Sequence, residues 1–165
     1  MNIIDAMVEE LKHEAVSTRK VLERLPDDRL DFTPHEKSFT LGALSSHVAN
    51  SLSWAEPTCQ MDSFVFDMDA WKPWLGNSAA EITKVFDENL AKALAVMASL
   101  TNEELAKTWT MTDTLGNVFM SMPRVQVLRS MILSHMIHHR GQLTVYLRMC
   151  DVPLPAIYGP SADEH

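Results

Sequence analysis

The segment Ser134–Leu143, SHMIHHRGQL, places three histidines inside a run whose apolar residues recur at helical spacing. In this helix the side chains predicted to face the core recur every three or four residues. They are Leu128, Ile132, His135, His139, Gln142, Tyr146 and Met149. His135 and His139 therefore stand where apolar residues are expected.

The spacing of His135 and His139 allows two interpretations. They are four residues apart, so their rings stand one turn above the other on one helical face. Two imidazoles arranged in this way can bind one metal ion, with each nitrogen at about 2.0–2.1 Å if the ion is zinc. The alternative is a pair of buried, neutral histidines that hydrogen-bond to neighbouring groups. No glutamate completes an HExxH motif, so the metalloprotease arrangement is absent.

A third metal ligand would have to come from another helix. His47 lies in the middle of the predicted helical segment LGALSSHVANSLSW, beside the apolar positions Leu44 and Val48, and can face the last helix. Spacing alone is equally compatible with a polar residue at the edge of an apolar stripe. The other histidines are expected to face solvent or to flank the pair: His13, His35, His138 and His165.

Helical periods and a count of only five glycines predict an all-α protein. Long helices are predicted over about residues 2–24, 40–55, 78–100 and 121–150, the second of them ending before Pro57. Residues 56–77 are predicted to be irregular, and Leu115-Gly116-Asn117 is compatible with a short hairpin before the last helix. Amphipathic helices of this length favour a single four-helix-bundle domain over residues 1–165.

Composition restricts the compartment and the partners. The formal net charge is −8 over 165 residues and no Lys/Arg-rich block compensates it, which argues against binding to nucleic acid or to anionic membranes. No apolar run has the length of a membrane span, and the acidic N-terminal segment does not resemble a signal peptide. Cys59 and Cys150 are expected to be unpaired thiols in a reducing compartment, and a disulfide between them is the less favoured alternative. We therefore expect a cytoplasmic protein.

Three segments resemble the DinB/YfiT-like family. HMIHHRGQL is similar to the HxxxHRGQ signature of that family, and ERLPDDRLDFTPHEKSFTLGALSSHVAN is similar to its run from a leucine-proline turn into a helix with one histidine. IYGPSADE resembles an ending found in one branch, so the resemblance covers nearly the whole chain. It implies a four-helix bundle in which His47, His135 and His139 bind one divalent ion, nickel or zinc, in a homodimer.

The resemblance also implies an activity. Relatives of known activity use low-molecular-weight thiols, as S-transferases or as a thiol-dependent isomerase. Three histidines leave a coordination position open, where a metal can lower the pKa of a thiol. We therefore expect a metal-dependent thiol S-transferase acting on a small-molecule electrophile. The alternatives are a bundle that binds a metal or ligand without turnover and a bundle whose metal site is structural. No catalytic side chain of the protein itself is identified.

Two polar residues beside His139 are candidates for binding a cofactor or orienting the histidines. Gln142 follows three residues later on the same face, and Arg140 follows directly and could anchor an acidic group. Their alternative roles are a polar core contact for Gln142 and a surface ion pair for Arg140. On the first helix, the position of Glu14 favours a side chain that snorkels at the bundle edge over a catalytic acid. The aromatic residues between 64 and 74 are interpreted mainly as packing, and a pocket wall is the less favoured alternative.

Overall fold

The computed structural model describes residues 2–165. In chain order the elements are α1 (Ile3–Leu22), α2 (Leu41–Ser51), α3 (Ala55–Gln60), β1 (Ser63–Val65), α4 (Ala79–Ala98), α5 (Asn102–Ala106), β2 (Thr108–Thr112), β3 (Val118–Pro123), α6 (Arg124–Val127) and α7 (His135–Met149). Two pairs of these helices are joined without a break. A 3₁₀ turn, Leu52–Trp54, joins α2 to α3, and a π-helical segment, Leu128–Ser134, joins α6 to α7. The continuous helix from Arg124 to Met149 is called the C-terminal rod below.

Two of the long helices begin at N-caps whose side chains accept a backbone hydrogen bond. The Thr40 hydroxyl accepts a hydrogen bond from the Ala43 backbone N–H at 3.1 Å, and the Ser78 hydroxyl accepts one from the Glu81 N–H at 3.2 Å. Each bond satisfies a backbone donor that has no partner within the first helical turn. The predicted starts of these two helices are therefore confirmed to within a few residues.

The long helices enclose a continuous apolar core. α1 and α2 each pack against both α4 and α7, and Leu11, Leu44, Phe86 and Leu143 from these four helices are fully or almost fully buried. Burial of one such side chain contributes about 1.5–3 kcal/mol, so this core fixes how α2 and α7 face each other. Within residues 2–165, no helix combines the length and the apolar character needed to cross a bilayer.

A small sheet departs from the predicted four-helix bundle. β2 and β3 form the expected hairpin, and its turn holds Gly116 at a φ of +86°, a conformation that favours glycine. β1 pairs in parallel with β2, which the sequence does not predict. The fold is mostly helical, but the sheet and the short helices show that the prediction of a pure four-helix bundle is wrong in this respect.

Two predicted helix boundaries are also wrong. The helical path continues through the 3₁₀ turn into α3, where Pro57 lies in the first turn and its missing N–H removes no helical hydrogen bond. Ser121 belongs to β3, so the C-terminal rod begins only at Arg124.

Arg124 ties the sheet region to the bundle. Its side chain is 3% exposed, and its guanidinium donates to the backbone carbonyls of Thr58 at 2.6 Å, Met61 at 2.8 Å and Glu104 at 3.0 Å. The guanidinium thereby satisfies three backbone carbonyls, in or directly after the short helices α3 and α5. This network positions the start of the C-terminal rod, whose later part carries His135 and His139.

Candidate metal centre

α2 and the C-terminal rod form an antiparallel groove. Each contributes a row of half-buried side chains between its buried and its exposed faces, and such rows follow from the i, i+3, i+4 geometry of helices. The rows are Ala43, His47, Asn50 and Trp54 on the α2 side, and Met131, His135, His139 and Tyr146 on the rod. Met131 and Trp54 pack into the same cluster, so the groove runs from Tyr146 past the histidines to the aromatic residues near β1.

Three histidine rings meet in the middle of this groove. The Nε2 atom of His135 lies 3.1 Å from Nε2 of His47 and 2.9 Å from Nε2 of His139. Together the three rings form a group whose ligand atoms lie within 4.8 Å of one another and which could hold a metal ion. The structure thus brings together the three residues that the sequence analysis singles out, whereas His138 is exposed beside them.

A hydrogen bond on the far side of the His139 ring fixes its tautomer. Nδ1 of His139 lies 2.7 Å from the amide oxygen of Gln142, so that nitrogen donates the proton. Nε2 of His139 therefore presents its lone pair to Nε2 of His135, 2.9 Å away. Three imidazole nitrogens grouped in this way, one of them oriented by a neighbouring amide, fit a divalent metal as its ligands.

Burial disfavours protonation of the three histidine rings. Desolvation is the largest cause that lowers the pKa of His47, to about 4, and the neighbouring His135 and His139 lower it further. Desolvation also lowers the pKa of His135 and of His139, and the hydrogen bonds to Met131 and Gln142 only partly oppose it. The three rings are therefore neutral at pH 7, which is the form that binds a metal.

One side of the histidine group opens into a cavity of about 200 Å³. Lys37, Phe39 and Tyr146 line it together with His139 and Gln142, and the Phe39 ring centroid lies 6.1 Å from that of His47. Neither Lys37 nor Phe39 is predicted from the sequence as a site residue. For Phe39 the sequence does contain an indication that its side chain packs against α2, because an apolar residue just before the Thr40 N-cap matches the hydrophobic-staple pattern.

The structure places the Arg140 side chain on a different face of the rod. Its guanidinium forms a salt bridge with the Glu14 carboxylate at 2.7 Å and donates to the Tyr158 hydroxyl at 2.6 Å, while that hydroxyl donates to Glu14 at 2.7 Å. Arg140 is 2% exposed and Glu14 is 6% exposed, so this pair is buried rather than at the surface or the bundle edge. These contacts occupy the guanidinium and do not favour the prediction that Arg140 binds a cofactor, which stays a prediction.

A larger cavity of about 590 Å³ lies between α1 and α4 and does not contain the histidines. Its lining includes Arg19, which already pairs with Asp87 and Glu23. Most charged side chains of this cavity are paired with each other, and Asp27 accepts the Ala79 backbone N–H. The histidine group is therefore the better candidate for a functional site.

Comparison with known proteins identifies the family. A profile described as the DinB family matches residues 1–165. The chain belongs to the DinB family. This DinB chain is 24% identical over 165 residues to the uncharacterized protein YrdA of Bacillus subtilis (strain 168). The alignment covers 98% of this chain and 91% of YrdA.

Solved DinB-like structures share its fold. A DinB-like protein from Bacillus cereus ATCC 10987 matches with a TM-score of 0.73 and 23% identity, over 95% of this chain and 98% of that one. The DinB-like protein YjoA of Bacillus subtilis matches with a TM-score of 0.67 and 20% identity, over 91% and 95% of the two chains. The family resemblance of the sequence is confirmed, and the likeness to these structures concerns the fold.

Proposed function

We propose that this DinB chain is a metal-dependent enzyme that transfers a low-molecular-weight thiol to a small electrophile. His47, His135 and His139 would hold one divalent ion, nickel or zinc, for which imidazole nitrogen is a suitable ligand. The observation that carries the proposal is the group of three imidazole rings, with Nε2 atoms 2.9 Å and 3.1 Å apart, in a site where burial disfavours protonation.

The number of ligands supports catalysis over a structural role. Structural zinc sites use four protein ligands, whereas catalytic sites use three and leave one position for water or substrate. The group here consists of three histidines. A divalent ion in such a site lowers the pKa of a bound thiol or water and stabilises its anion.

The residues beside the histidines support a thiol as the group that is transferred. The cavity next to His139 offers the Lys37 ammonium and the Gln142 amide to a bound molecule, and Lys37 can pair with a carboxylate on a small thiol. Transfer forms one sulfur–carbon bond, releases the thiol proton to solvent and expels a leaving group with its bonding electron pair. The chain's own residues then bind and orient the thiol without acting as nucleophile.

Metal analysis tests the first half of the proposal. Untagged protein purified without chelator should carry close to one ion per chain by mass spectrometry. His47→Ala, His135→Ala and His139→Ala should lose most of it. His138→Ala is the matched control, because His138 is exposed on the same helix, and it should keep its metal. Equal metal content in all five proteins would contradict the assignment.

Cobalt substitution tests the second half. Titration of the cobalt protein with cysteine and other small cellular thiols should produce a sulfur-to-metal charge-transfer band that His139→Ala lacks, and thiol consumption with electrophiles should depend on the metal. Tight metal binding without a band or turnover would instead support the binding-protein alternative. Unfolding on addition of chelator would support a structural metal, since metal binding would then supply folding energy.

A further inference from the structure

A second cavity, of about 400 Å³, lies at the end of the groove near β1. Its lining includes Asn50 and Trp54 from the α2 side and Phe64, Phe66 and Trp71 from the segment that follows α3. Asn50 comes three residues after His47 and Trp54 seven residues after it, on the half-buried row that carries His47. The cavity has the volume of a small-molecule site, and we call it the aromatic pocket.

Aromatic rings enclose this pocket from several directions. Phe64 and Phe66 are two residues apart along β1 and its extension, where the Phe66 N–H donates to the Thr112 carbonyl at 2.8 Å. Residues at this spacing in a strand place their side chains on the same face. The Trp54 ring lies 5.3 Å from Phe64 at 77° and 5.8 Å from Phe66 at 57°, and Phe66 lies 5.9 Å from Trp71 at 57°. The faces of aromatic rings carry negative potential, so rings whose faces border one space can stabilise a cation there.

The formal charge on the pocket wall is negative. Asp67 lines the pocket, and among the described residues that line it there is no Lys, Arg or His. The Oδ1 atom of Asp67 accepts hydrogen bonds from the backbone N–H groups of Asp69 and Ala70, both at 3.0 Å. These bonds hold the carboxylate in place and leave Oδ2 available to a ligand. An organic cation therefore complements both the rings and the charge.

We propose that the aromatic pocket binds the alkylammonium group of an organic cation, such as a quaternary ammonium. A neutral apolar molecule would gain contact with the rings but nothing from Asp67, so charge complementarity selects the cation. The rest of such a ligand can extend past Asn50 along the groove toward His47. The pocket contains none of the three histidines, so this inference does not depend on the metal or thiol chemistry.

Calorimetric titration with choline tests the proposal, using metal-free and metal-loaded protein. The matched ligand is the neutral isostere of choline in which a tert-butyl group replaces trimethylammonium. Choline should bind saturably and the isostere more weakly by about 2- to 30-fold, the range that a cation–π contribution gives. Quenching of tryptophan fluorescence by choline, from Trp54 and Trp71, should follow the same isotherm.

Variants localise the binding. Trp71→Ala should weaken choline binding by about 2- to 30-fold, through loss of a cation–π contact. Asp67→Asn should weaken it by about 1.5- to 5-fold, through loss of an exposed ion pair. Both residues are exposed, so the fold should tolerate the changes. Trp74→Phe is the control, since Trp74 lies outside the lining, and it should bind as wild type does. His135→Ala should also retain choline binding, which separates this proposal from the metal site. Equal affinity for choline and its neutral isostere, absence of saturable binding, or equal affinity in Trp71→Ala and Trp74→Phe would overturn it.

Discussion

The buried Glu14–Arg140 pair provides a quantitative test of how the C-terminal rod is held. Arg140 is 2% exposed and meets the Glu14 carboxylate at 2.7 Å. Glu14→Gln removes the negative charge, keeps an amide oxygen of similar shape and leaves a buried cation without its counter-ion. Breaking a buried pair in this way costs about 3–5 kcal/mol. We expect a loss of that size in the free energy of unfolding.

Tyr158 should contribute less, because its ring is largely exposed at 69%. Its hydroxyl donates to Glu14 and accepts from Arg140, and hydrogen bonds to charged groups contribute about 1.5–3 kcal/mol. Tyr158→Phe should therefore cost near the lower end of that range. The substitution would remove the hydrogen bonds by which Tyr158 holds the C-terminal tail against the helices.

Urea unfolding followed by circular dichroism, in the presence of chelator, measures these differences. Glu9→Gln is the matched control on the same helix, since the Glu9–Lys12 pair is exposed and such pairs contribute about 0–1 kcal/mol. Glu14→Leu combined with Arg140→Met should cost much less than Glu14→Gln, because apolar side chains can replace a buried pair. A Glu14→Gln effect as small as that of Glu9→Gln, or a double variant as unstable as the sum of its single changes, would refute this reasoning.

Three further predictions follow from the site, the cysteines and the family resemblance. Gln142→Leu removes the acceptor that fixes the His139 tautomer and should weaken metal affinity by about 10- to 100-fold, measured by competition with a chelating dye; affinity equal to wild type would contradict that role. Burial raises the pKa of Cys59 to about 12, so at pH 8 about one thiol in ten thousand is ionised, and a disulfide reagent should titrate only Cys150 in native protein and both thiols in denaturant. Rapid reaction of two thiols in native protein would count against this. The chain should form a homodimer, and light scattering that gives 18.6 kDa would exclude it.

The sequence predicts the histidine group better than the polar contacts that support the fold. His135 and His139 are neighbours on one helix, so their spacing alone determines that the rings are adjacent. His47 is 88 residues from His135, and only the family resemblance connects the two. Glu14 and Arg140 are separated by 126 residues, and no local pattern indicates that they pair. The helical spacing of apolar residues predicts only that Glu14 and Arg140 are polar residues near a core-facing side of their helices. It does not identify a partner for either.

The sheet illustrates a second limit. β2 and β3 are adjacent in the chain and share a glycine turn, so local sequence predicts their pairing. β1 has three residues and pairs in parallel with a strand that begins 43 residues after β1 ends. A strand this short shows no clear alternation, and a parallel pairing depends on the packing of the elements between the strands. From the sequence, the aromatic residues of this segment are therefore interpreted as packing residues. The structure is needed to show that they line a pocket.

The π segment explains why the predicted face of the last helix is partly wrong. In an α-helix two successive steps of four residues rotate a side chain by about 80° away from its starting face. Leu128, Ile132 and Met136 nevertheless all remain fully buried, because the wider π turns absorb that rotation. The predicted stripe keeps α-helical spacing and ends on Met149, which is 52% exposed.

The same wider turns keep Met131, His135 and His139 in one half-buried row. Met131 packs in the aromatic cluster, and His135 and His139 lie in the histidine group, so one face of the rod joins the aromatic pocket to the candidate metal centre. π segments occur often at functional sites. Here the segment ends directly before His135. The irregular turn therefore aligns the groove and places His135 and His139 on the face that also carries Met131.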